Sequence, residues 1–346
     1  MNNINLCIIG AGRIFQLYHL DAIINSGFFN IKYVVDKNFK IAKSNAKIVN
    51  AKALTDIKDV KNCEGFFIAT PPNTRLDIFK LIKHKSKFII FEKPVAFSFD
   101  EVKKIVDESS KNNIRCLVAQ TRRFFPNLNF VNELISNGFI SSPFDVKIYE
   151  GAPFGWITES NYLLNSDPKD NGVIHDVGAH VYDYLISMLE SFKIDHENIN
   201  TNSALVDYNK LPNNILSHHT VKSQNKTCNI EIKLSRSILL MNKIIITDGK
   251  NTVFSRPLLE DTIKLKISNK EFNVPVPYMQ GKSYSLDNAF LDMWIHIGNV
   301  VQSKDYDKLC KIDLNSVIKT VKLMDYVIEK KEINSIDNYF KNFGHE

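Results

Sequence analysis

The chain has 346 residues, of which 44% are hydrophobic and 24% charged, and its formal net charge is +6. This length suits two domains, each with its own core, and the composition is that of a soluble globular protein. Lysines alternate with acids, as in Asp100-Glu101-Val102-Lys103-Lys104, and no apolar run reaches the roughly 18 residues a membrane span needs, so neither a nucleic-acid nor a membrane partner is expected.

The chain opens with an apolar run over residues 5–9. Gly10-Ala11-Gly12 follows, then a helical pattern through Leu17, Leu20 and Ile24, then a second strand over 30–36 that ends in Asp36. Strand, glycine turn, helix, strand and acid together make a nucleotide-binding βαβ unit. Gly10 allows the tight turn, and Gly12 lets the backbone approach a pyrophosphate. The helix N-terminus then favours that anion through its N–H groups and dipole. Phe15 stands where a third glycine is usual, so it is expected to push the helix outward or to pack on a neighbouring element. Asp36 would accept hydrogen bonds from an adenosine ribose and repel a 2′-phosphate. That favours NAD, and the adjacent Lys37 keeps NADP open.

The alternation continues. Strands are expected over 64–70, 87–91 and 114–120. A helix through Leu76, Phe79 and Ile82 lies between the first two, and one capped by Ser98 lies between the last two. Near-continuous apolar strands alternating with helices imply a parallel sheet covered on both faces, with ligands at the strands' carboxyl ends. Gly10, Asp36, Thr70, Glu92, Lys93 and Gln120 should therefore share one rim.

A helix over 126–137 stops at Gly138, and a strand spans 144–150. The loop over 154–162 carries Trp156 and Tyr162, whose faces would either stack on a sugar ring or simply anchor the loop. Residues 171–189 follow with a helical pattern. Val177, Val181, Tyr184 and Met188 form its apolar stripe. Asp176, His180, Asp183 and Ser187 form a second stripe turned by one residue, about 100°. The acid and the imidazole therefore sit beside the buried stripe, where clefts form and pKa values are tuned. His175 falls on a different face and reads as structural.

From about 202 to 277 the pattern is strand-rich, with a turn at Asp248-Gly249-Lys250-Asn251. Its alternation implies one covered and one more exposed face. His218-His219 has no metal-ligand spacing, and no metal is expected. Helices close the chain over 290–301 and 314–328. Five cysteines, at 7, 63, 116, 228 and 310, are odd in number and show no C-x-x-C spacing. Together with the absence of a signal-type N-terminus, this points to the cytoplasm.

Several of these motifs stand in one order. Gly10-Ala11-Gly12, Ala69-Thr70-Pro71-Pro72-Asn73, Glu92-Lys93-Pro94, Arg122-Arg123-Phe124 and Asp176-x-Gly178-x-His180-x-x-Asp183 resemble the Gfo/Idh/MocA family of glucose–fructose oxidoreductase and inositol dehydrogenase relatives. The resemblance implies an α/β protein. A Rossmann domain over 1–122 would precede an α/β domain over 123–346 with a large, mostly antiparallel open sheet. That sheet would bind substrate and build a homodimer or homotetramer.

It also implies NAD or NADP as cofactor and a sugar, nucleotide sugar or cyclitol as substrate. Lys93, Asp176 and His180 take the family's catalytic positions. Gly10, Gly12, Arg13, Ile14 and Asp36, then Thr70, Pro71 and Asn73, then Glu92, Lys93, Gln120 and Arg123, would line the cofactor. Lys93, Arg122, Trp156, Tyr162, Asp176, His180 and Asp183 would meet substrate. One of Arg122 and Arg123 would reach a ligand while the other pairs at the surface, and Asp183 would either contact substrate or close a hydrogen-bond network. Arg75 stands where the family often has histidine, and Asn171 where it has the first of two glycines. The expected reaction is hydride transfer, with His180 exchanging the hydroxyl proton. The alternative is a glycoside hydrolase or lyase that oxidises its substrate only transiently.

Overall fold

The computed structural model describes residues 3–155, 170–207, 212–223, 226–279 and 284–333. Trp156 and Tyr162 lie outside the described residues. The chain divides into two compact units, one of 1–124, 157–165 and 286–318, the other of 125–156, 166–285 and 319–346.

The first unit is a doubly wound parallel sheet. Strands β1 (Ile4–Ile9), β2 (Phe29–Val35), β3 (Lys52–Leu54), β4 (Gly65–Ile68), β5 (Phe88–Phe91) and β6 (Arg115–Val118) lie in the order β3-β2-β1-β4-β5-β6. β4 and β5 are buried along their whole length, as strands covered on both faces must be. Helices α1 (Leu20–Ser26), α2 (Phe39–Ile48), α3 (Arg75–Ile82) and α4 (Phe99–Lys111) supply the cover. Ser98 caps α4 by accepting from the Glu101 N–H at 3.3 Å.

Phe15 is accommodated in an unexpected way. It is fully buried, and the helix after the glycine turn opens into a π turn over Phe15–His19 before α1 begins. The inward residues are consequently Phe15, His19, Leu20 and Ile23, while Leu17 and Ile24 are exposed, against the stripe expected from spacing.

A helix late in the sequence completes this core. α8 (Leu286–Gln302) buries Phe290, Met293, Trp294 and Ile297 in the same cluster as Phe15, Ile23 and Phe67. A Cβ on Gly298 would stand 2.2 Å from the Phe28 ring, which shows how closely this helix approaches. The division at 122/123 expected from the sequence assigned this helix to the second domain. Its apolar face instead packs against α1 in that cluster, and residues 286–318 group with the first unit.

The second unit holds a nine-stranded mixed sheet. β7 is Phe144–Gly151, β8 Ile199–Val206, β9 Asn214–Ser223, β10 Lys226–Ser235 and β11 Lys243–Thr247. β12 is Asn251–Ser255, β13 Thr262–Ile267, β14 Lys270–Pro275 and β15 Lys331–Ile333, and the order is β14-β13-β12-β11-β7-β10-β9-β8-β15. Only the β7–β10 and β8–β15 pairs are parallel. Alternation places Cys228, Ile230, Ile232 and Leu234 of β10 on the buried face, and Thr227 and Asn229 opposite.

α5 (Pro126–Ser136), α6 (Val173–Asp176) and α7 (Gly178–Ser191) lie in the same unit. Asn132 of α5 donates to Ser187 Oγ of α7 at 3.1 Å. The chain closes with α9 (Tyr306–Leu309) and α10 (Leu314–Glu329). Among the described residues no helix is long and apolar enough to cross a membrane, and no His/Cys/Asp/Glu group could hold a metal.

Candidate active site

In the first unit the glycine turn is built by backbone constraint. Gly10 has φ +87°, and a Cβ there would lie 2.8 Å from the Thr70 backbone nitrogen. No other residue type fits both conditions. A Cβ on Gly12 would meet nothing within 4 Å, which leaves the backbone open where a pyrophosphate would approach. Asp36 Oδ2 accepts from the Ala11 N–H at 2.8 Å, and Oδ1 from the Asn38 N–H at 2.9 Å. The acid thus ties the turn to the end of β2 and keeps lone pairs to spare. Asn45 and Gln16 both donate to the Ala11 carbonyl, at 3.4 and 2.8 Å. These residues fit a dinucleotide.

Glu92 follows β5 directly, while Thr70 and Gln120 lie two residues past the ends of β4 and β6. Thr70 Oγ1 accepts from Thr74 Oγ1 at 2.8 Å. Arg13 and Asn73 are exposed, and Ile14 and Pro71 half-buried. Lys93 is half-buried and is joined to Pro94 by a cis peptide. Glu92 is buried, and its Oε1 lies 3.2 Å from His19 Nε2.

Arg75, noted in the sequence as a departure, is buried at 3% exposure and donates from Nε to the Thr70 carbonyl at 2.8 Å. Its Nη1 also donates to the carbonyls of Glu92 and Pro94. One guanidinium therefore fastens the loops after β4 and β5 to each other. Arg123, expected at the cofactor, is held by the segment after α8. Its Nη1 donates to the Lys311 carbonyl at 2.6 Å and to Ser316 Oγ at 2.7 Å, because the segment after α8 packs alongside. Arg122 is half-buried.

In the second unit the helix expected over 171–189 is interrupted at Val177, between α6 and α7. Most of its circumference is buried. Asp176, Val177, His180 and Ser187 are half-buried, so the acid and the imidazole stand one turn apart beside the core. Gly172 (φ +50°) turns the chain into the helix. Asn171 donates its backbone N–H to His175 Nδ1 at 2.9 Å and receives Lys331 Nζ at Oδ1. His175 is buried and structural.

Asp183 is only 3% exposed and accepts from Thr320 Oγ1 at 3.0 Å, which favours the hydrogen-bond network over substrate contact. Tyr184, one turn after His180, is buried, and burial pushes its phenol well up.

Arg236 was not among the residues expected at the site. It follows β10 directly, its side chain is 4% exposed, and its Nε lies 3.4 Å from Asp176 Oδ2. Phe154 stacks on the guanidinium at 4.4 Å. An arginine closing an apolar alternating strand was the available signal, but nothing in the pattern pairs it with an acid sixty residues earlier.

Residues 4–120 match the profile described as oxidoreductase family, NAD-binding Rossmann fold. The chain is 31% identical over 180 residues to an uncharacterized oxidoreductase of Bacillus subtilis, covering 51% of each chain. It is 26% identical over 190 residues to the rhizopine catabolism protein MocA of Rhizobium meliloti, covering 54% of this chain and 57% of that one. The chain thus spans about half the length of the curated relatives it matches. Among solved structures, the 3-ketoreductase KijD10 of Actinomadura kijaniata, in complex with NADP and TDP-benzene, superposes with a TM-score of 0.79. That match covers 96% of this chain and 99% of that one at 11% identity, and so speaks for the fold alone. Residues 4–120 are thus similar to the NAD-binding Rossmann fold of the Gfo/Idh/MocA oxidoreductases.

Proposed function

We propose that the protein is an NAD(P)-dependent oxidoreductase acting on a CH–OH group, or the matching ketone, of a sugar, nucleotide sugar or cyclitol. The observation that carries this reading is the Asp176–His180 pair. It is half-buried on successive helical turns and anchored by Arg236, in a chain whose other unit is an NAD-binding Rossmann fold. The 3-ketoreductase of like fold, bound to NADP and TDP-benzene, supports the substrate class.

Gly10, Gly12, Arg13 and Ile14 would hold the pyrophosphate, Asp36 the adenosine ribose, and Thr70, Pro71, Asn73, Glu92 and Gln120 the remainder. When bound, the nicotinamide supplies the hydride acceptor or donor. His180 takes the hydroxyl proton in oxidation and returns it in reduction, a task suited to imidazole. Asp176 accepts a hydrogen bond from the substrate or the imidazole, and Arg236 fixes its carboxylate. Lys93 donates to the oxygen that gains or loses charge. Arg122 is retained as a substrate contact.

The outer face of the nine-stranded sheet is the proposed homo-oligomer surface. The cross-strand pair Ile245 and Phe254 remains half-buried there, an apolar patch suited to a second copy. Light scattering at twice the monomer mass or more would support it.

The functional test begins with the nucleotide released on denaturing the purified protein. Nicotinamide absorbance is then followed against nucleotide sugars, free sugars and inositols. A steady absorbance change matched by product is expected from one class. Product without net absorbance change would replace this reading with the transient-oxidation hydrolase or lyase. Absence of any nucleotide binding would refute both.

A further inference from the structure

His19 has no part in the function proposed above, yet it is among the most completely buried polar groups in the first unit, at 0% exposure. The π turn over Phe15–His19 carries it inward beside Phe15. There the imidazole lies among Phe67, Phe290 and Trp294, at ring-centroid distances of 4.6, 4.9 and 5.9 Å. Both ring nitrogens are engaged. The Trp294 indole N–H reaches Nδ1 at 3.0 Å, and an indole nitrogen can only donate. Nδ1 must therefore accept. The ring proton is thereby assigned to Nε2, which donates to Glu92 Oε1 at 3.2 Å.

The relay ends on the residue before Lys93. The Glu92 backbone is held as well, its N–H donating to the Ile68 carbonyl at 2.9 Å and its carbonyl accepting from Arg75. Side chain, amide and carbonyl of Glu92 are thus each fixed by a different element, all within one unit. In apolar surroundings each such bond is costly to break, so the loop has little freedom to reorient.

We propose that His19 is a positioning residue: locked in one tautomer by Trp294, it fixes the Glu92 carboxylate and so sets the direction in which Lys93 leaves β5. The inference rests on the reading that Glu92 and Lys93 border the nicotinamide end of the cofactor. The adenosine end depends on Gly10, Gly12 and Asp36, which His19 does not touch. The two ends should therefore respond differently to loss of the relay.

Two readouts on the full chain test this without a known substrate. The sequence holds two tryptophans, so the indole N–H spectrum contains two signals, assigned with Trp156→Phe. NADH titration by fluorescence gives both the dissociation constant and the emission of the bound nicotinamide. His19→Phe should abolish the exchange protection of the Trp294 indole. It should leave the NADH dissociation constant within about threefold of wild type and bring bound emission down toward that of NADH in water. His19→Gln keeps an acceptor and a donor, and should restore the bound emission.

Loss of the indole protection with unchanged bound emission would overturn the proposal, because the relay would then be structural only. Equal loss of emission in the Gln and Phe variants would also overturn it. If His19→Phe does not fold, Trp294→Phe releases Nδ1 and is expected to lower bound emission, and unchanged emission there counts against the proposal. Failure of the wild type to bind NADH would refute the proposed function and this inference with it.

Discussion

Acid should weaken the second unit through one histidine. His219 lies on the covered face of β9 at 0% exposure. Its Nε2 is 3.0 Å from Ser217 Oγ and its Nδ1 is 3.1 Å from Thr201 Oγ1. Ser217 in turn meets Tyr182 Oη of α7 at 3.0 Å. Burial, and secondarily the neighbouring His218, push the His219 pKa from 6.5 down to about 3. The folded value is thus below the unfolded one, so between the two the unfolded chain binds the proton and the native chain does not. The stabilisation is complete above the unfolded pKa and is lost as pH falls from 6.5 toward 3. At pH 5 the unfolded imidazole is protonated by roughly 30 to 1, which corresponds to about 2 kcal/mol through RT ln 30.

Hydrogen exchange on peptides from β9 and β10, at pH 7 and pH 5, reads that opening equilibrium directly. His219→Gln should shed about 2 kcal/mol of the pH dependence that the wild type shows. Identical pH dependence in the two proteins would refute the reasoning. His296 on α8, pushed down to about 4 by burial and by Lys311, acts in the other unit, and peptide-level exchange separates the two.

Other expectations concern the site. Gly12→Ala should leave thermal stability within about 2 °C yet weaken NADH binding by about tenfold or more, whereas Gly10→Ala, with its Cβ against the Thr70 backbone, should prevent the first unit from folding. Asp36→Asn keeps an acceptor for the Ala11 N–H but removes the charge. Fluorescence titration should then show NADPH gaining on NADH by about tenfold. Arg236→Gln unfastens Asp176, and turnover should fall by about 10- to 100-fold with NADH affinity unchanged. Unaltered turnover would reduce Arg236 to a packing residue.

Much of the first unit was legible because its signals are local. Gly10, Gly12 and Asp36 sit at fixed offsets along one βαβ unit, and buried strands such as β4 and β5 read as apolar runs. The covered face of the second sheet was legible from alternation along β10 and β11. What escaped depends on distant partners. Phe15 announced a packing problem, but spacing could not show that a π turn would solve it. Trp294 lies 275 residues from His19, and Lys311 and Ser316, which hold Arg123, belong to a segment whose place in the first unit no local pattern records. Arg75 was noticed as unusual, yet its role depends on carbonyls of two separate loops. Asp176 and His180 were found by helical spacing, while Arg236 lies just past β10 and its approach to Asp176 is a tertiary fact.

The central claim is tested most directly by His180→Ala, assayed by nicotinamide absorbance on the substrate class that the wild type turns over. Turnover should fall by about 10²- to 10⁴-fold, while fluorescence titration shows NADH bound as tightly as before. Wild-type turnover in that variant would contradict the assignment of His180 as the group that exchanges the substrate's proton.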